Sequence, residues 1–69
     1  MSEYNINNYS DKELLDLIEL EPTDNILTNI HNLDVIIHNK ILEARDKRDD
    51  KIILFFENIL NRLTIYFEK

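Results

Sequence analysis

The sequence predicts an all-α fold, a small three-helix bundle, on three observations. Two long segments repeat apolar residues at spacings of three and four, the period of a helix face. A complete helix-start signal, Ser10-x-x-Glu13, precedes an apolar run. The 69 residues hold no Gly and one Pro, which leaves little turn chemistry for β-hairpins. One domain of this size buries little surface. With no Cys, it depends on helix packing rather than on a disulfide or a thiolate metal site.

Residues 1–8 read as a flexible polar tail, from which Tyr4 and Ile6 can strap onto the bundle. The remaining residues, 9–69, form the domain. The first helix, about 10–20, opens on the capping box of Ser10 and Glu13, with Tyr9 and Leu14 at the positions of a hydrophobic staple. Asp11 and Glu13 suit the positive end of the helix dipole. Leu14, Leu17 and Ile18 share one face, with Leu15 and Leu20 on either side. Pro22 disfavours helical geometry at the residue before it, which predicts a stop near Leu20 or Glu21.

The second helix, about 24–45, is predicted to take Thr23 or Asp24 as its cap. Ile26, Ile30, Leu33, Ile37, Ile41 and Ala44 make its apolar stripe, and a mixed stripe of Leu27, His31, Val35, His38 and Leu42 runs beside it. The charged segment Arg45–Asp50 breaks this pattern and predicts a turn, with Asp49 or Asp50 capping the next helix. The competing arrangement is one continuous helix of roughly 44 residues in a dimeric coiled coil, which would put charge in its seam. The third helix, about 50–67, carries Ile52, Phe56, Ile59, Leu63 and Tyr66, widened by Ile53, Phe55, Leu60 and Phe67. So wide an apolar arc predicts contact with both other helices.

Composition narrows the function classes. A net charge of −6 argues against binding to nucleic-acid phosphates or to an anionic membrane surface. The longest apolar run, 52–56, is far short of a membrane span, and the N-terminus lacks the basic and apolar regions of a signal peptide, so an intracellular location is expected. Without Gly there is no phosphate-binding loop. His31, Asp34 and His38 have a spacing at which a divalent metal could be shared, but no further ligand completes the set. An Asp34–His38 pair one helical turn apart is the simpler expectation. The carboxylates Asp16, Glu19, Glu21, Asp24, Asp46, Asp49 and Asp50 read as solvated charge, with no cleft to perturb them. The expectation is a non-enzymatic protein with no catalytic residue, cofactor or metal. Candidate partner-binding residues are the apolar and imidazole positions outside the core stripes: Leu27, His31, Val35, His38 and Leu42 on the second helix, and Leu54 and Ile65 on the third.

Three blocks carry a resemblance: Tyr9-Ser10-Asp11-Lys12-Glu13-Leu14-Leu15-Asp16-Leu17, Pro22-Thr23, and Phe55-Phe56-Glu57-Asn58-Ile59-Leu60-Asn61-Arg62-Leu63. Together they resemble a short N-terminal helical module of giant DNA virus proteins of the mimivirus and marseillevirus kind. The match spans roughly residues 8–65. It implies a non-enzymatic structural or interaction module; the expected partner is another protein or a second copy of the chain, and the expected setting a virion or the host cytoplasm. It brings no catalytic residues. The alternative from composition is a small acidic virus- or phage-encoded inhibitor of a host protein. Against it, Lys and Arg are interspersed with the acids in Arg45–Asp50 rather than leaving one uniformly acidic face.

Overall fold

A computed structural model describes residues 5–69. Three helices, α1 (Asp11–Leu17), α2 (Ile26–Asp46) and α3 (Asp50–Glu68), form a small all-α bundle, preceded by a 3-10 turn at Ile6–Asn8. Among the described residues there is no strand. The long elements α2 and α3 fold back on each other as an antiparallel hairpin. A continuous coiled-coil helix is excluded, because the chain leaves helical geometry between Asp46 and Asp50. The 3-10 turn and α1 pack on α3, and the backbones of α1 and α2 make no close approach. Thus α3 is the central element, as its wide apolar arc predicts.

Each start and stop has a local cause. The capping box is formed: the Ser10 N–H donates to Glu13 Oε1 at 3.0 Å, and the Glu13 N–H to Ser10 Oγ at 3.1 Å. The first helix ends earlier than expected, at Leu17. Pro22 is not what stops it. Glu19 turns to φ 59°, the Glu19 N–H donates to the Asp16 carbonyl, and the Leu20 N–H donates to that of Leu15. These two bonds make a Schellman closure, and its accompanying contact joins Leu15 and Leu20, both buried. The same closure ends α2. Arg48 stands at φ 55°, and the Arg48 and Asp49 N–H groups donate to the carbonyls of Arg45 and Ala44. Asp49 then caps α3 by accepting the Ile52 N–H at 3.2 Å. With no Gly in the chain, both left-handed positions are filled by charged residues.

Several sequence expectations are corrected here. The cap of α2 is Asn25, whose side chain accepts the Thr28 N–H, and neither Thr23 nor Asp24 fills that place. Thr23 is held instead by Asn29, a buried polar residue. The Thr23 N–H and hydroxyl both donate to Asn29 Oδ1 at 2.7 and 2.9 Å, and Asn29 Nδ2 donates back to the Thr23 carbonyl at 2.9 Å. These bonds offset the cost of burying the amide and set where the α1–α2 connection meets α2. Residues 5–8, expected as part of a tail, are structured. Ile6 packs against the core and its carbonyl accepts from Arg62 Nη1 at 2.9 Å. Tyr4 lies outside the described residues.

The core is built from Leu14, Leu15, Ile18 and Leu20, from Leu33 and Ile37 of α2, and from Phe55, Ile59, Leu63 and Phe67 of α3. Leu15 and Leu20 therefore belong to the interior, while Leu17, placed on the predicted inner face, is 45% exposed. The Schellman turn explains the exchange. It folds Leu20 back under the helix and rotates the inner face toward Leu15. On α3 the buried line follows Phe55 rather than Ile52, since Tyr9 covers Phe55 with ring centroids 5.7 Å apart. Ile26 and Tyr66, expected in the core stripes, are exposed.

Candidate partner-binding surface

The two sides of the hairpin differ in what covers them. At about 100° per residue, Phe55 and Arg62 lie on the side of α3 opposite Leu60 and Thr64. The first side is closed by the N-terminal segment. Tyr9 covers Phe55, and Asp11 Oδ1 accepts from Arg62 Nε at 2.9 Å. Arg62, which also donates to the Ile6 carbonyl, is thus the bolt that fixes the 3-10 turn and α1 to α3.

Among the described residues no helix covers the second side. There an open groove of about 650 Å³ runs between α2 and α3, lined by Leu27, Ile30, His31, Asp34, Leu60, Asn61, Thr64 and Ile65. The groove brings together three of the seven predicted partner-binding residues, Leu27, His31 and Ile65. Leu27 is 79% exposed and Ile65 59%. Ile30 and Leu60 form the floor, half-buried and packed against the core. The other four candidates are exposed but stand apart. Val35 and Leu42 lie on the outer side of α2, His38 continues the line of His31 and Asp34 one turn beyond the groove, and Leu54, 59% exposed, lies about three turns from Ile65 on the outer face of α3. A smaller hollow beside the hairpin turn is lined by Lys40, Glu43, Lys47, Asp49, Ile52 and Phe56, among others.

Among the described residues, eight large hydrophobics are exposed against eleven buried hydrophobic residues. Single exposed apolar side chains are ordinary. Here Leu27 and Ile65 share a groove whose floor is also apolar, which makes a surface rather than scatter.

Neither imidazole has a hydrogen-bond or ion-pair partner among the described residues. No hydrogen bond or ion pair joins Asp34 to His38, so the expected pair one turn apart is not formed. Among the described residues, no group of three His, Cys, Asp or Glu is placed to hold a metal ion. The carboxyl group of Glu13 lies below its usual range because it accepts the Ser10 N–H and then, second in size, through its contact with the Ser10 hydroxyl. That perturbation belongs to the helix cap. Among the described residues, every buried side-chain nitrogen and oxygen has a partner.

Charge is distributed more unevenly than the mixed Arg45–Asp50 segment suggests. Residues 11–24 carry six carboxylates against Lys12 alone, and residues 25–69 carry seven acids and seven bases. Glu13, Asp16, Glu19, Glu21 and Asp24 are all exposed. The acidity therefore sits on α1 and its following loop, and the α2–α3 hairpin is electrically balanced.

No helix among the described residues is long and apolar enough to cross a membrane. No family model, curated protein or solved structure matches the chain.

Proposed function

We propose that the chain is a non-enzymatic protein–protein interaction or assembly module that binds its partner through the groove between α2 and α3. The observation that carries this reading is the open groove, with its apolar floor of Ile30 and Leu60 and exposed Leu27 and Ile65 at its margins. Burying such residues is favourable at about 25 cal/mol per Å², provided that a complementary apolar surface replaces water. The side chains are held by two long helices packed on a shared core, so little order has to be gained on binding. The resemblance to the giant-virus N-terminal module supports a virion or assembly setting.

The test is affinity capture by the whole chain from its native source, with Leu27→Lys and Ile65→Lys as paired variants. Both positions are exposed, so helical circular dichroism should be unchanged. The proposal expects a discrete partner, retained at high salt and lost in the double variant. Capture that ignores both substitutions would overturn it.

A second reading has its own observation. The acidic surface of α1 and its loop suits an inhibitor that presents negative charge to a basic site on a host protein. Such binding is screened by salt, whereas apolar docking in the groove is not. A partner released by moderate salt, and by Asp16→Lys rather than by Leu27→Lys, supports the inhibitor.

A further inference from the structure

We infer that the occupant of the groove is a second copy of the chain, two hairpins closing face to face as a four-helix bundle. This rests on the groove being an interaction surface, and it commits that surface to one partner.

The first ground is the spacing of residues on the groove side. On α2 it follows Leu27, His31, Asp34, His38 and Ile41, and on α3 Ile53, Glu57, Leu60 and Thr64. Both series step by fours and threes. That is the 3.5-residue period with which helices interlock at small crossing angles in bundles. Two antiparallel helices presenting this period on one uncovered side are half of a four-helix bundle.

The second ground is charge. A chain of net charge −6 repels its own copies, yet five of these six charges lie in residues 11–24, and the hairpin carries equal numbers of acids and bases. The N-terminal segment attaches through Tyr9 to Phe55, on the side of α3 opposite Leu60 and Thr64, and its Asp11–Arg62 pair meets the groove only at the Ile65 margin. Groove-to-groove approach therefore turns the acidic segments outward.

The third ground is complementarity. A two-fold axis parallel to the hairpin preserves level along the helices, and it sets α2 antiparallel to the partner copy's α3. Asp34 and Asn61 line the groove together. One turn toward the hairpin loop, His38 and Glu57 share a level, both exposed. Across the dyad each imidazole then meets a carboxylate, twice per dimer, while Ile41 and Ile53 meet one turn further on. An interface of this kind is self-complementary.

Sedimentation equilibrium of the whole chain, from micromolar to several hundred micromolar, tests the inference. The expected mass is twice the 8.3 kDa of one chain. His38→Glu sets like charges across the dyad and should weaken the dimer by about tenfold, and adding Glu57→Lys should restore it. Leu27→Glu should also weaken it, and Asp16→Lys on the outer side of α1 should not. All four positions are exposed, so circular dichroism should show native helix content throughout. A folded chain that stays monomeric across the range overturns the inference, as does a dimer indifferent to both His38→Glu and Leu27→Glu. A monomer that still captures a different protein, and loses it on Leu27→Lys, overturns the dimer alone and leaves the groove as the interaction surface. If that capture also fails, the groove reading falls with it.

Discussion

Ser10 and Glu13 each supply what the other's backbone lacks, and the effect on stability is open to two measurements. Ser10→Ala removes the acceptor for the Glu13 N–H and should cost about 1 kcal/mol, with partner binding unchanged because neither Ser10 nor Glu13 lines the groove. Chemical denaturation of the variant checks the first part, and a specific loss of binding without destabilisation would contradict the second. Glu13 gives the pH dependence. Its folded pKa is lowered by the Ser10 contacts, so its contribution is present above the ordinary glutamate range and is lost as pH falls through the lowered value. Glu13→Gln keeps an acceptor that does not titrate. The difference in melting temperature between wild type and Glu13→Gln should therefore shrink on acidification through this window, and a constant difference would rule the linkage out. Asn29 makes the opposite point about single residues. Nothing in sequence marks it, since an Asn among the polar residues of an amphipathic helix reads as exposed. It is buried because Thr23, six residues earlier, returns to meet it.

At the scale of elements, the ends of α1 and α2 share one device, a Schellman closure built without Gly. A non-Gly residue in the left-handed region costs roughly 1–2 kcal/mol. Gly removes that strain but loses about 0.4–1 kcal/mol through the greater freedom of the unfolded chain. Arg48→Gly should therefore stabilise the protein by about 0.5–1 kcal/mol. The urea midpoint should rise with an unchanged slope, and a lowered midpoint would show that the Arg48 side chain holds the turn. These closures also explain which element boundaries were legible. The start of α1 was, because the capping box is a contiguous pattern. Its end was not, because the stop depends on backbone geometry at Glu19 rather than on the visible Pro22. The turn between α2 and α3 was legible from charge, since Lys47 and Arg48 have no place in an apolar seam.

The whole molecule is a hairpin with one side sheltered. The N-terminal segment supplies Leu14, Leu15, Ile18 and Leu20 to the core, and it is pinned by the Arg62 contacts to Asp11 and to the Ile6 carbonyl. Without it, Phe55 would lose the Tyr9 ring that covers it, and the core would lose those four buried side chains. A chain truncated to residues 25–69 should lose cooperative thermal unfolding and much of its helical signal, because helices of this length draw their stability from packing. Circular dichroism of the truncated chain is the check, and a native-like melt would show that the hairpin stands by itself. The same asymmetry separates the two surfaces with functional readings: an acidic one on α1 and its loop, and a neutral, partly apolar one between α2 and α3.

The sequence by itself determined the all-α class, the order of the three helices and the central place of α3, and it named Leu27, His31, Val35, His38, Leu42, Leu54 and Ile65 as candidates without ranking them. Helical period, capping chemistry and charge placement are local properties, readable along a chain. Tertiary structure alone decided that Leu15 and Leu20 are core, that Leu17 is surface and that Asn29 is buried. It also decided that Leu27, His31 and Ile65 share one groove while Val35, His38, Leu42 and Leu54 stand outside it. These outcomes depend on which side of α3 the N-terminal segment covers. That choice is fixed by contacts between residues some fifty positions apart, Arg62 with Asp11 and with Ile6, and no periodicity within a single helix encodes it.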